Sequence, residues 1–385
     1  MTIPKSERVM RIFERKDVDY LPSMITFSDR AKYPKISEAL GLDGSDALED
    51  YLQNHIFWTY AKDDVVFFYR NDSALMASLE AEKYVAWDHA RATLYDRWGL
   101  GILAGEEGLF CNYGCLAQNE TANANAREYL PERITKLWDM PIEKAVDAYE
   151  APDPLDPANL EWLIRDKDGV GDMLVIPTGY MGIYERAYTM FGFENFMLQI
   201  ALTPYTVNTI MEKITDYRIK LAKVKAELGY KVVHHGDDVA TQLAGLFSIS
   251  MFREMILPHL KRLFAEYKKY DQYIMLHSCG RIIDYLPDLI DIGLDAWEPV
   301  QPCNDLRTLK REFGKDLIFM GGIDTQQLPR LTPDKVREMT KEVISILGKG
   351  GGYIIAPSQE IMSDVPLENV VALLETVVEM RDKVL

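Results

Sequence analysis

His277 and Cys279, in His277-Ser-Cys-Gly, are the residues whose types and spacing point most directly to chemistry. Side chains alternate along an extended strand, so these two share one side of the chain, and at a strand end both could face one metal ion. A neutral imidazole and a thiolate suit zinc. The plainer reading is a buried histidine beside a core cysteine. The next strand pattern, Ala296–Gln301, adds Glu298, because neighbouring parallel strands bring their ends within about 5 Å of each other. Glu298 could be a third ligand or, with no metal, a substrate-facing acid. Cys303 lies beyond Pro302, outside the strand pattern, which favours Glu298.

His234-His-Gly-Asp-Asp ends another strand pattern. His235 is available there to a substrate. Asp237 and Asp238 could act as a general base, bind substrate or orient a ligand, and either could instead cap the following helix. Tyr180 and Glu185 follow a further strand, and Gln301, Asp324 and Gln359 also end strands; all are candidates to line a site. Cys111 and Cys115 could clip a metal, but nothing nearby in sequence completes such a site, so a structural role is expected.

The elements that position these residues alternate. Short apolar runs begin at Lys231, Tyr273, Ala296, Leu317 and Tyr353, with helical periodicity over 204–227, 249–268, 333–347 and 366–384. Thr203-Pro204 and Thr332-Pro333 each place a capping hydroxyl before a proline at the first helical position. Pro258 predicts a kink or break. This βα beat indicates a parallel sheet, open or closed. No Gly-x-Gly-x-x-Gly follows a strand, and Gly348–Gly352 precedes one, the wrong context for a dinucleotide. In the first half, residues 5–15 read as a short helix, Leu21–Thr26 as a first strand and Asp64–Phe68 as a second. Residues 75–130, aromatic and glycine-containing with hairpin signals, read as an insertion over the sheet's mouth within one domain.

The chain of 385 residues is 48% hydrophobic, enough for a large core, and its net charge of −17 sets aside nucleic acid and anionic lipid as partners. No run of about 18 apolar residues suggests a membrane helix. The N-terminus lacks the apolar stretch of a signal peptide, so a cytoplasmic protein with reduced thiols is expected.

Taken in order, Ser6-Glu-Arg-Val, Asp19-Tyr-Leu-Pro, Gly236-Asp-Asp-Val-Ala-Thr-Gln, Pro258-His-Leu-Lys, His277-Ser-Cys-Gly, Pro299-Val-Gln-Pro, Met320-Gly-Gly-Ile-Asp and Gly351-Gly-Tyr-Ile-Ile-Ala-Pro resemble the uroporphyrinogen-decarboxylase-like superfamily over nearly the whole chain. The resemblance implies an α/β fold, a (β/α)₈ TIM barrel with an N-terminal extension, spanning 1–385 as a single domain. True decarboxylases of the superfamily use no cofactor and bind porphyrinogen carboxylates through an arginine-rich segment after the first strand. Here Arg30 and Lys32 remain but the paired arginines do not.

The other branch, zinc methyltransferases that work with methylated corrinoid proteins, carries His-x-Cys, an acid on the next strand in some members, and a cysteine after the last strand. His277, Cys279 and Glu298 match the first two elements; Ser358-Gln359 stands where the last cysteine would be. The resemblance therefore implies zinc at His277, Cys279 and Glu298, a harder Lewis acid than a thiolate-rich site. Its task would be O-demethylation of a small methoxylated compound, or demethylation of an amine. Asp237 or Asp238 would handle a proton, with Tyr180, Glu185, His235, Gln301 and Gln359 around the substrate. The corrinoid (cobalamin) would arrive on a separate protein, since no Asp-x-His-x-x-Gly motif is present. The alternative is a metal-free lyase acting on a small carboxylic acid through Arg30, Lys32 and Asp64. A catalytically silent barrel is a third reading. Homodimerisation is compatible with each.

Overall fold

The computed structural model describes residues 3–64, 69, 71–104 and 111–383. Eleven strands are formed among them: β1 (Ile56–Tyr60), β2 (Ala86–Asp88), β3 (Thr93–Tyr95), β4 (Leu100–Leu103), β5 (Cys111–Gly114), β6 (Leu174–Thr178), β7 (Val232–Gly236), β8 (Tyr273–His277), β9 (Ala296–Val300), β10 (Ile318–Ile323) and β11 (Tyr353–Pro357). The molecule is α/β. β1 pairs with β6, and β7 to β11 pair in sequence order, all in parallel. Short contacts link these two sheets. The Gly236 amide donates to the Gly179 carbonyl at 3.0 Å, and the Gly182 amide to the Gly236 carbonyl at 2.7 Å. At the far edge Ser23 bridges in parallel to both Asn54 and Ile355. The order of neighbours thus returns to its start.

Alternate residues of these strands make one apolar cluster: Ile56, Ile176, Val232, Met275, Ala296, Ile318, Met320, Ile354 and Ala356. Period-two geometry puts such residues on one face. Val9, Ile12 and Phe13 of helix Lys5–Phe13 join the same cluster, with Phe13 5.3 Å from Tyr273 at the start of β8. That helix therefore covers the N-terminal ends of the strands, and the polar inward residues collect at the opposite ends.

Several helices lie where the periodicity puts them: Pro204–Glu227, Pro333–Leu347 and Leu367–Met380. The break at Pro258 takes the form of a π-helical turn, Phe252–Ile256, before helix Leu257–Lys268. Other expectations are corrected. Neither Thr203 nor Thr332 caps its helix with its side chain; the Thr203 hydroxyl bonds back to Gln199. The expected first strand, Leu21–Thr26, makes only isolated bridges through Ser23, and the first strand is Ile56–Tyr60. Asp64 belongs to the turn Lys62–Asp64 that follows it, and residues 65–68 lie outside the described ones. Within 75–130, β2–β5 form an antiparallel meander. It packs against helix Tyr184–Phe191 through Leu116 N–H to Met190 O at 2.8 Å, and Trp98 meets Tyr217 at 4.7 Å. None of its described residues lines the cavity at the strand ends. No helix among the described residues is long and apolar enough to cross a membrane.

Lys225, on the long helix Pro204–Glu227, is buried, and its ammonium donates to the Pro177 carbonyl at 3.4 Å. Burial, helped by Arg218, pushes it down to about 7. Between that value and the usual 10.5 the unfolded chain binds a proton that the folded chain releases, so stability from this residue grows as pH rises through the window. The stability of wild type relative to Lys225→Met is expected to rise from pH 7 to about pH 10 in denaturant titrations; a flat difference would contradict the burial argument.

Candidate metal centre and cavity

A cavity of about 510 Å³ opens at the C-terminal ends of the parallel strands, with Tyr180, Glu185, Asp238, His277, Cys279, Glu298 and Gln359 in its wall. His277 and Glu298 stand opposite each other in the β8–β9 register, both inward. His277 organises the centre through its two nitrogens. Nδ1 lies 2.8 Å from Glu298 Oε1. Nε2, on the other side of the ring, lies 3.5 Å from Asp238 Oδ1 and 3.8 Å from Cys279 Sγ.

These spacings separate two kinds of contact. Zn–N and Zn–O bonds of about 2.0–2.1 Å and Zn–S of about 2.3 Å place tetrahedral ligand atoms roughly 3.3–3.6 Å apart. The Asp238, His277 and Cys279 donor atoms, all within 4.8 Å of one another, fit that size. His234, His277 and Glu298 also converge, but Glu298 Oε1 is 2.6 Å from His234 Nε2 and 2.8 Å from His277 Nδ1. Those are hydrogen-bond lengths, too short for two ligands of one ion. The row continues to Thr178, whose hydroxyl meets His234 Nδ1. Glu298 is therefore placed behind His277, and Asp238 stands with Cys279 in front of it.

The charges follow from this packing. Burial opposes ionisation of Glu298, yet His277 and His234 hold its carboxyl down to about 2. Burial likewise disfavours charge on His277, but Glu298 and Cys279 raise it well above an ordinary imidazole. Burial pushes His234 down to about 4. Burial and Asp238 push the Cys279 thiol up, and burial with Asp238 and Asp237 raises the Glu185 carboxyl. An ion bound to His277 and Cys279 would therefore displace protons, which makes its affinity pH-dependent.

The loop Ser278–Gly280 is pinned from several sides. Asp238 Oδ1 accepts the Cys279 amide at 2.7 Å. Trp297 Nε1 donates to the Ser278 carbonyl at 2.9 Å. Gln301 Oε1 accepts the Gly280 amide at 2.7 Å, and Asn304 Nδ2 donates to the Gly280 carbonyl at 2.9 Å. Gly280 has φ +87°, and a Cβ there would sit 2.6 Å from the Thr241 carbonyl, so the last residue of His-Ser-Cys-Gly must be glycine. Gln301, expected at the substrate, is thus a brace outside the cavity wall.

A second loop, Gly179–Glu185, brings in Tyr180 and Glu185. Arg218 Nη2 donates to the carbonyls of Tyr180 and Met181 at 2.9 and 2.8 Å, holding Met181 at φ +48°. Asp237 accepts the backbone amides of Ile183, Tyr184 and Glu185 at 2.8, 3.2 and 2.8 Å. It starts helix Tyr184–Phe191 and does not line the cavity, so of the two expected acids only Asp238 does. Gly182 sits so close that a Cβ would lie 2.4 Å from the Gly236 carbonyl. Asp237→Ala is expected to destabilise the protein by about 1–3 kcal/mol, from orphaned buried amides, while metal content stays unchanged. Loss of metal in that variant would show that Asp237 also serves the centre.

Other expected site residues lie elsewhere. His235 turns away from the cavity, with Nε2 3.0 Å from Asp237 Oδ2 and its ring toward Phe264. Asp324 Oδ1 accepts the Gln326 amide, and Cys303 contacts Asn304; neither reaches the cavity wall. Arg30 and Lys32 form an exposed turn, Lys32 bonded to the Ser363 carbonyl, and neither lines the cavity. Asp64 is buried between Arg218 and Arg186. Cys115 is buried against the Trp98 carbonyl, and the Cys111 side chain lies outside the described residues. The inward histidine of His234-His235 is His234, which sequence reasoning passed over. Its signal was the alternation Val232, His234, Gly236, in phase with Met275 and His277 on the paired strand.

The uroporphyrinogen decarboxylase (URO-D) family profile matches residues 140–380. That is more than half of the chain, which belongs to this family. Relatives carry two activities. The methylcobamide:CoM methyltransferase MtaA of Methanosarcina barkeri is 24% identical over 277 residues, 70% of this chain and 79% of that protein. Uroporphyrinogen decarboxylase of Coxiella burnetii is 23% identical over 184 residues, 45% of this chain and 47% of that one. Among solved structures, a methyltransferase from Methanosarcina mazei shares the fold over 98% of this chain and 99% of its own, with a TM-score of 0.56 and 18% identity.

Proposed function

We propose that this chain is a zinc-dependent methyltransferase of a corrinoid system, built as a single (β/α)₈ barrel. It would move a methyl group from a small methoxylated substrate to a corrinoid carried on a separate protein. The observation that carries the reading is the setting of His277. A carboxylate holds Nδ1, while an acid and a thiol face Nε2 beside an open cavity. A histidine ligand usually donates its second N–H to a carboxylate in this way. Three protein donors beside a cavity are also the pattern of catalytic zinc, which keeps a position for substrate. The similarity to MtaA supports the same class.

Asp238, His277 and Cys279 would hold the zinc. Bound there, it would polarise the heteroatom that carries the methyl group. Glu298 fixes the imidazole tautomer and orientation, and His234 and Thr178 hold Glu298. Tyr180 walls the cavity beside both histidines, its ring centroid 4.9 Å from His234 and 5.1 Å from His277. In demethylation the O–CH3 bond would break with both electrons left on oxygen, and the methyl group would pass to the partner's reduced corrinoid, whose chemistry would be to supply the electron pair for it. The leaving oxygen would then need a proton, which Glu185, in the cavity wall with its carboxyl raised by burial, would supply.

The test is to incubate the zinc-loaded protein with cob(I)alamin and a panel of methoxylated and methylamine substrates. Methylcobalamin and the demethylated product are expected. No methyl transfer from any of them, with carbon dioxide released from a small carboxylic acid instead, would put the chain with the decarboxylases.

A further inference from the structure

We infer that the substrate of this cavity is an uncharged aromatic methyl ether, an inference that rests on the methyltransferase reading above. Trp58 and Tyr60, two apart on β1, both face the cavity, and Tyr180 faces it from the end of the paired strand β6. Trp58 and Tyr180 pack on His234 with centroids 5.0 and 4.9 Å away, and Tyr180 continues to His277 at 5.1 Å. A run of rings therefore leads from β1 to the imidazole beside Cys279. Met181 and Met320 add thioether surface to the same wall, which suits the edge of an aromatic ring. A second aromatic ring laid on this surface gains stacking that an aliphatic ether of the same polarity does not.

Charge narrows the class. Among the described residues the cavity is lined by four acids, Glu185, Asp238, Glu298 and Glu360, and by no lysine or arginine. Glu298 is engaged by two imidazoles and Asp238 by the Cys279 amide, and Glu360 follows β11 with Arg30 within electrostatic reach, although Arg30 does not line the cavity. A ring carrying its own carboxylate would find no lysine or arginine in the described wall to meet that charge. A ring bearing a neutral hydroxyl would instead find a partner in Ser28 or Gln359. The cavity volume, about 510 Å³, accommodates a single substituted ring.

Isothermal titration of the zinc-loaded protein with 2-methoxyphenol, 4-hydroxy-3-methoxybenzoate and 2-methoxyethanol tests this. The methoxyphenol is expected to bind about tenfold or more tightly than either of the others. Trp58→Leu is expected to weaken it about tenfold, and Glu360→Lys to bring the benzoate within about threefold of it. Equal or tighter binding of the benzoate or of methoxyethanol to the wild-type protein would overturn the inference. Methyl transfer to cob(I)alamin from methoxyethanol, with no binding of methoxyphenol, would overturn it and leave the methyltransferase reading standing. Binding of methoxyphenol with no methyl transfer from any donor would remove that reading and the inference with it.

Discussion

Alanine at Asp238 is expected to cost this protein far more metal affinity than glutamine at Glu298. If zinc binds with an apparent free energy of about 10–16 kcal/mol, three or four ligands share it at about 3–5 kcal/mol each, so loss of one is a hundredfold or more. Asp238 Oδ1 lies 3.5 Å from His277 Nε2, the spacing of a fellow ligand. Glu298 lies 2.8 Å from Nδ1, the spacing of a hydrogen bond behind the ligand, and loss of such a support costs about 10–100-fold. Zinc affinities of Asp238→Ala, Glu298→Gln and wild type, measured by competition with a chelator, rank the two. The reverse order would place Glu298 on the metal and Asp238 behind it.

Asp64→Ala is expected to lower stability by about 3–5 kcal/mol, the cost of removing one partner from a buried ion pair. The carboxylate lies 2.6 and 2.9 Å from the two terminal nitrogens of Arg218 and 2.9 Å from Arg186 Nη2, and all three side chains are almost wholly buried. Its removal leaves the buried Arg218 without its acidic partner and Arg186 with Asp96 alone, 3.7 Å away. Arg218 also holds the Tyr180 and Met181 carbonyls, so the damage should spread to the cavity wall. Urea unfolding measures the loss. A change below 1 kcal/mol would mean that the two arginines find other partners, and that the loop carrying Tyr180 does not depend on this pair.

Much of the second half of the fold was legible because β7–β11 are short apolar runs that end in polar residues, separated by helices with clear periodicity. The first half was harder. Residues 22–25 make only isolated bridges, through Ser23, to the segments on either side. The aromatic run Ile56–Tyr60 was passed over for the more aliphatic stretch after Asp64. At the site, spacing puts His277 and Cys279 on one side of a strand end, and both line the cavity there. His234 is hidden because every residue of β7 is buried, so β7 alone has no polar face to fix its phase, and only its register with β8 does so. Asp237 and Asp238 were indistinguishable because Asp237 serves amides at 183–185, about fifty residues earlier in the chain. For Glu298, ligand and metal-free acid stay open in the sequence, because sequence cannot say which nitrogen of an imidazole a neighbour will meet.

The central claim is that Asp238, His277 and Cys279 form a zinc centre. Elemental mass spectrometry of the protein purified without chelators, beside His277→Ala, tests it most directly. Close to one zinc per chain is expected in the wild type and almost none in the variant. A wild-type protein without metal, or a variant that keeps its full complement, would contradict it.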